Sequence, residues 1–361
     1  MPMDSLNFDV VETILSYVES QDALKLATTC RTLHALAVQR LLSHISIDYN
    51  WSIDRILQYC TYMLADAKGR PRCLRSFSII SIPRGDLSVF DTLAEVLGHA
   101  PALRRVSLSW EAGYALDDSP AFADALASLD SLDLLDVCGV HLGLMRLLPR
   151  MKCRPRTVHC DLFPVSDSDY LEMSGLCKAE QSSPLCNFAN CVTSLKLGHA
   201  AMLIEELVHT VWPCVRELSV SSSTIKNIQS ISHAFPNLRT LRCWNVRLKD
   251  PVIPAEWRQL QFVSITDPIP LQCHVHHVQL NVDCERASMS YIHQSFEMLR
   301  CASPVTLGCY ASVGLFRHVA EHLRSLRILH FDASNVPLDI PMHPTIVGRT
   351  VSCTQERYFP S

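Results

Sequence analysis

The chain has 361 residues, 48% of them hydrophobic and 19% charged, and carries a formal net charge of −4. That composition suits one or two packed domains and excludes a disordered chain, while the mild acidity supplies no basic stripe for nucleic acid. Glycine is scarce at 11 residues, and no G-x-G-x-x-G, Walker A, G-x-S-x-G or H-E-x-x-H pattern occurs, so neither a phosphate-cradling loop nor a familiar catalytic motif is expected.

No apolar run approaches the length of a membrane span, so no membrane is expected as a partner. The opening "MPMDSLNFDVVETILSYVES" is acidic and amphipathic rather than a charged-then-apolar leader. The expected setting is the cytosol or nucleus. The 16 cysteines include no C-x-x-C pair, and in a reducing compartment they read as small buried hydrophobes.

In chain order, the first expected elements are three short helices between Leu6 and Leu42. Val10, Val11, Ile14, Leu15 and Val18 share one helical face. Ser20 is a candidate N-cap, with Asp22 in the first turn beyond it. Leu24, Leu26, Ala27 and Cys30 form a second stripe, and Leu33, Leu36, Ala37 and Leu41 a third. Three helices over about forty residues bury too little surface to stand alone.

This order of residues resembles the F-box, whose pattern runs L-P-x-E-[LV]-[LV]-x-x-I-[LF]-x-[YH]-[LV], a turn, D-L-L-x-L, then V-C-[KR]-x-[WF]. Leu6 takes the leading leucine, Asp9 the acid, and Val10 with Val11 the paired aliphatics. Ile14, Leu15, Tyr17 and Val18 complete the first helix; Asp22, Leu24 and Leu26 match the second; Cys30, Arg31 and Leu33 close the motif. Two positions depart from it: Asn7 stands where the family has proline, and Leu33 where it has tryptophan. The resemblance assigns residues 1–45 to the F-box. It implies that Leu6, Val10, Ile14, Leu15, Leu24, Leu26, Cys30 and Leu33 contact a Skp-type adaptor, unless some of them are internal core. Residues 46–69 are expected to be a helical linker.

From residue 70 a phrase recurs, with apolar residues at its first, fourth and sixth places. It occurs at Leu74/Phe77/Ile79, Leu103/Val106/Leu108, Leu132/Leu135/Val137, Val192/Leu195/Leu197, Val215/Leu218/Val220, Leu238/Leu241/Cys243, Leu260/Val263/Ile265, Val275/Val278/Leu280 and Leu326/Leu329/Phe331. Neighbouring starts lie 29 (74 to 103), 29 (103 to 132), 23 (192 to 215), 23 (215 to 238) and 22 (238 to 260) residues apart. The last three places of each phrase alternate as a strand does. Between phrases, "FDTLAEVLGHA", "LIEELVHTVW" and "GLFRHVAEHL" have helical spacing. Pro101, Pro213 and Pro236 precede their phrases and mark the switch from helix to strand.

Residues 70–335 thus resemble leucine-rich repeats, with 163–190 an irregular insertion and 336–361 a proline-containing tail. The resemblance implies an α/β solenoid with a parallel sheet on its concave face, behind a three-helix F-box. The bland alternative is an ordinary α/β domain with chance spacing. On the repeat reading, the third, fifth and seventh places of each phrase line the concave sheet. Lys196, Arg242, Trp244, His277 and Gln279 are the expected target-binding residues there, with Arg242 and Trp244 at the centre.

An F-box followed by leucine-rich repeats resembles the substrate receptor of an SCF-type ubiquitin ligase. It implies a non-catalytic chain that binds a Skp-type adaptor, and through it a cullin, while the repeats hold a protein target. The alternative is an interaction scaffold unrelated to ubiquitin. No cofactor is expected. "CHVHH" (273–277) is the one dense cluster of metal-ligand types, but on a strand His276 and His277 point to opposite faces and no second ligand pair follows, so no metal is expected.

Overall fold

The structure, a computed structural model, describes residues 8–18, 20–29, 31–82, 88–139, 141–163, 183–250, 255–281, 289–310, 321–332 and 350–354. The chain divides into two compact units. One holds the described residues up to His159; the other holds Cys160–Phe163 and the described residues from 183 onward.

The first unit begins with α1 (Phe8–Tyr17), α2 (Ser20–Ala27) and α3 (Arg31–Leu42). Helix α3 packs against both of its predecessors. Leu15, Ala23, Ala27, Leu33, Leu36 and Ala37 are buried in this bundle. A strand-and-helix succession follows: β1 (His44–Ile47), α4 (Ile53–Leu64), β2 (Ser76–Ile79), α5 (Val89–Gly98), β3 (Arg105–Ser109), α6 (Ala112–Asp118), α7 (Pro120–Ser128), β4 (Leu134–Cys138), α8 (Leu142–Leu147) and β5 (Thr157–Asp161), at which the two units divide. Strands β1 to β4 pair in chain order, every pair parallel. Arg156 and Thr157 both donate backbone N–H groups to the Asp133 carbonyl, which sets the start of β5 beside β4. Parallel neighbours need a crossover, and the intervening helices supply it.

The second unit repeats the plan with β6 (Ser194–Gly198), α9 (Ala201–Leu207), β7 (Glu217–Ile225), α10 (Ile228–Ala234), β8 (Thr240–Leu248), β9 (Phe262–Ile265), β10 (His277–Leu280), α11 (Met289–Ala302), β11 (Thr306–Tyr310), β12 (Ile328–Asp332) and β13 (Thr350–Thr354). Strands β6 to β13 also pair in chain order and in parallel. One strand per repeat, stacked on the next, is a leucine-rich-repeat-like arrangement in each unit.

The apolar places of the repeated phrase build the core. All three are buried in every phrase from Leu74 to Leu280, as are Leu326 and Leu329 of the last; the side chain of Phe331 lies outside the described residues. The prolines sit where helix gives way to strand: Pro101 between α5 and β3, Pro213 between α9 and β7, Pro236 between α10 and β8. The aromatic before each of the last two also has a structural role. Trp212 and Phe235 are fully buried and stack at 6.0 Å with 28° between their planes. Trp212 Nε1 donates to the Leu207 carbonyl, and Trp257 Nε1 to that of Phe235, so each indole N–H finds an acceptor on leaving water. Cys60 and Cys243 are buried too, and burial pushes both thiols up to about 12. Twelve cysteines among the described residues carry thiols and form no disulfide.

Strands extend past the span 70–335 expected for the repeats. Strand β1 pairs with β2 from within the stretch that bridges the expected F-box and linker, and β13 pairs with β12 from within the expected tail. Two further strands, β5 and β11, begin after a proline rather than an aliphatic, at Pro155 and Pro304. Most of the expected insertion (164–182) and most of "GLFRHVAEHL" (314–320) lie outside the described residues.

Candidate functional site

Two surfaces bring the expected site residues together, one in each unit. In the first, α1 and α2 turn part of their apolar surface outward. Val10 is 45% exposed, Ile14 50% and Tyr17 86%, and their spacing puts them on one face of α1. Leu24 on α2 is 60% exposed and Leu26 half-buried. Leu15 and Leu33, expected at the same contact, are 3% and 6% exposed and belong to the bundle's own core. Leu6, Asn7 and Cys30 lie outside the described residues. Helix α2 starts at Ser20 and carries an Asp22–Lys25 ion pair of 2.8 Å on its exposed side, which is weak support at a solvated site.

A cleft of about 240 Å³ is lined by Leu15 of α1, Leu36 and Arg40 of α3, His44 of β1, and Cys73 and Arg75 before β2. Arg40 ties the layers together: Nε donates to the Leu15 carbonyl at 3.2 Å, and Nη1 to Nδ1 of His44 at 2.8 Å. A guanidinium can only donate, so His44 accepts there and is neutral. Burial lowers the His44 pKa, and the charges of Arg40 and Arg105 lower it further.

The second surface is the solvent-facing side of the sheet in the second unit. Parallel register aligns the residues opposite the apolar places in rows, although Ser264, Thr306 and Gly308 within them are buried. The middle row runs Lys196, Ser219, Arg242, Ser264, Gln279, Gly308, His330 across β6 to β12. The row before it runs Ser194, Glu217, Thr240, Phe262, His277, Thr306. Trp244 continues β8 two residues beyond Arg242 and is 47% exposed.

All five residues expected at the target surface therefore fall on one face. Lys196 and Gln279 are exposed, Arg242 and His277 half-buried. The register adds Phe262. The Arg242 guanidinium lies over its ring at 5.2 Å, and the edge of His277 meets the same ring at 4.9 Å and 71°. Burial lowers the His277 pKa, as do the charges of His330 and His276, so His277 is neutral near pH 7 and Arg242 carries the permanent charge. The equivalent row of the first unit differs. It runs Ser46, Ser78, Ser107, Asp136, with Ser107 Oγ donating to Asp136 at 3.2 Å.

Among the described residues no group of three or more His, Cys, Asp or Glu side chains converges as metal ligands. His274 and His276 of "CHVHH" are exposed, and only His277 lies within β10. Near β6, Asp161 accepts from His199 Nδ1 at 2.9 Å, a half-exposed pair beside the left-handed backbone of His199 (φ 48°). Both partners are open to solvent, and among the described residues no nucleophile is hydrogen-bonded to the ring. No described helix is long and apolar enough to cross a membrane.

No protein-family model matches the chain, and no curated protein does. Among solved structures, a TLR13–ssRNA13 complex aligns at 15% identity with a TM-score of 0.36, over 82% of this chain and 40% of that one. The chain therefore spans less than half of the protein it is aligned with.

Proposed function

We propose that the chain is a non-catalytic substrate receptor of an SCF-type ubiquitin ligase, in which the helices of residues 1–45 dock on a Skp-type adaptor and the repeats of residues 70–335 hold a protein target. The observation that carries the reading is the outward-turned set Val10, Ile14, Tyr17 and Leu24, beside core residues that are already satisfied. Apolar side chains in excess of what a bundle buries mark a partner site. Covering each large aliphatic contributes about 1.5–3 kcal/mol, so a few anchors suffice. The adaptor would bring the chain to a cullin, and the receptor's own contribution is to hold the target in reach of chemistry performed elsewhere.

The test is co-purification of the full chain with a Skp-type adaptor. Ile14→Asp and Leu24→Asp should each abolish it while leaving the circular dichroism spectrum unchanged, because both side chains face solvent. Retained binding in both variants, or no adaptor binding by the unmodified chain, would leave the interaction scaffold unrelated to ubiquitin as the better reading.

A further inference from the structure

We infer that the outward side of the sheet in the second unit takes an acidic peptide segment, laid across the strands with a carboxylate on Arg242 and an apolar side chain against Trp244. This deepens the target-holding role proposed for that face and rests on it; it does not rest on the adaptor.

The guanidinium of Arg242 is built for such a ligand. It is held over Phe262, whose ring is in turn fixed by the edge of His277. It makes no hydrogen bond or ion pair with any other described residue. A cation held beside a ring has none of its N–H donors used by that contact, so the guanidinium keeps its fork for a planar carboxylate. A cation already oriented loses less freedom on binding than a free one.

The surrounding charges agree. The middle row contains Lys196, Arg242 and His330 and no carboxylate across seven strands. The one acid in the preceding row is Glu217, which accepts from Ser194 Oγ at 3.3 Å. In a chain of net charge −4 that middle row is acid-free, whereas the next row, which carries Trp244, reaches Asp332 on β12, so the positive character belongs to the strip around Lys196 and Arg242. Lys196 stands two strands from Arg242, about 10 Å at the usual strand spacing, so a second acid further along the same segment would meet it.

The arrangement favours a carboxylate over a phosphoryl group. Phosphoryl dianions are held by clustered cations, whereas the row neighbours of Arg242 are Ser219 and Ser264. Trp244 supplies the apolar part. It is among the largest exposed hydrophobic side chains described and lies on the same strand as Arg242, and tryptophan beside arginine is the usual composition of a binding anchor. Single-stranded nucleic acid, the other ligand that stacks on aromatic rings, needs a groove of cations along its backbone, which the chain's composition does not provide.

The experiment is an array of random twelve-residue peptides probed with the full-length chain, with phosphorylated copies and single-stranded RNA spotted alongside. Retained peptides should be enriched in Asp or Glu next to a large apolar residue. Arg242→Ala should reduce their signal at least tenfold, and Trp244→Ala severalfold. Arg242→Lys should not restore it, since an ammonium cannot make the bidentate contact. Should Arg242→Ala fail to fold, Lys196→Glu serves in its place: this side chain is exposed on β6, and reversing its charge should weaken acidic peptides severalfold. Enrichment of neutral or basic peptides that depends on Trp244 would keep the face as a target site and overturn its acidic preference. Preference for phosphorylated peptides or RNA would overturn it in favour of those ligands. No enrichment at all would remove both the inference and the target-holding role, whatever the adaptor assay returns.

Discussion

His277 links the chemistry of the outward sheet face in the second unit to the stability of the fold. Its folded-state pKa is lowered by burial first, then by the charges of His330 and His276, whereas an unfolded histidine titrates near 6.5. The unfolded chain therefore binds the proton more readily. Stability is complete above about pH 6.5 and declines as the pH falls below it, until the folded-state value is passed. His44 is shifted in the same direction and adds to the decline. Urea unfolding should give equal midpoints at about pH 8 and pH 7, and a lower one at about pH 5.5. His277→Gln should flatten that slope; an unchanged slope would show that the ring is solvated in the folded state. At this scale the sequence was informative about facing and silent about partners. Strand alternation alone sends Arg242, Trp244, His277 and Gln279 to one side. It does not place Phe262 under Arg242, because that depends on which residue of β9 stands opposite β8, and register across a loop of irregular length is not written in either strand. On α1 and α2 the helical stripe names Leu15 beside Ile14 without distinguishing inward from outward. Only the packing of α3 decides that Leu15 is interior.

Elements were legible where the phrase was complete and missed where one place was altered. The strands β5 and β11 follow Pro155-x-x-Val158-x-Cys160 and Pro304-x-x-Leu307-x-Cys309. Proline fills the first apolar place and cysteine the last, and all six side chains are buried. A search that accepts proline as an apolar residue would have found both. Leu42-x-x-Ile45-x-Ile47 also fits the phrase, but its leucine ends α3, and helical periodicity there masks the start of β1. Helix starts are set by single side chains. Before α7, Ser119 Oγ accepts the Phe122 N–H at 3.1 Å and donates to Asp91 at 2.5 Å, while Pro120 occupies the first helical position, where its missing N–H costs nothing. The residue is 1% exposed, so no water replaces the hydroxyl. Ser119→Ala should lower the unfolding free energy by about 0.5–2 kcal/mol, towards the upper end of that range, as measured by urea denaturation. A change within experimental error would mean that the Phe122 N–H finds another acceptor once the hydroxyl is gone.

Within the second unit, each described strand pairs with the strands beside it in sequence, and this makes stability local along the stack. Leu241 is fully buried and stands between Leu218 on β7 and Val263 on β9. Removing most of its side chain should cost about 2–5 kcal/mol, the range for a leucine cavity in a packed core. In a globular core that loss spreads through many long-range contacts. In a stack whose energy is a sum of repeat and nearest-neighbour terms, it should fall mainly on the adjoining repeats. Hydrogen exchange on Leu241→Ala should therefore accelerate most at the amides of β7, β8 and β9, and least at those of β11 and β12. Uniform acceleration across all of these strands would show that the second unit unfolds as one cooperative block. In that case the aromatic contacts behind the sheet, Trp212 on Phe235 and Trp257 on the Phe235 carbonyl, would be the first place to look for the coupling. The local outcome would instead mean that the ladder carrying Arg242 and Phe262 can open at one end while its centre keeps its shape.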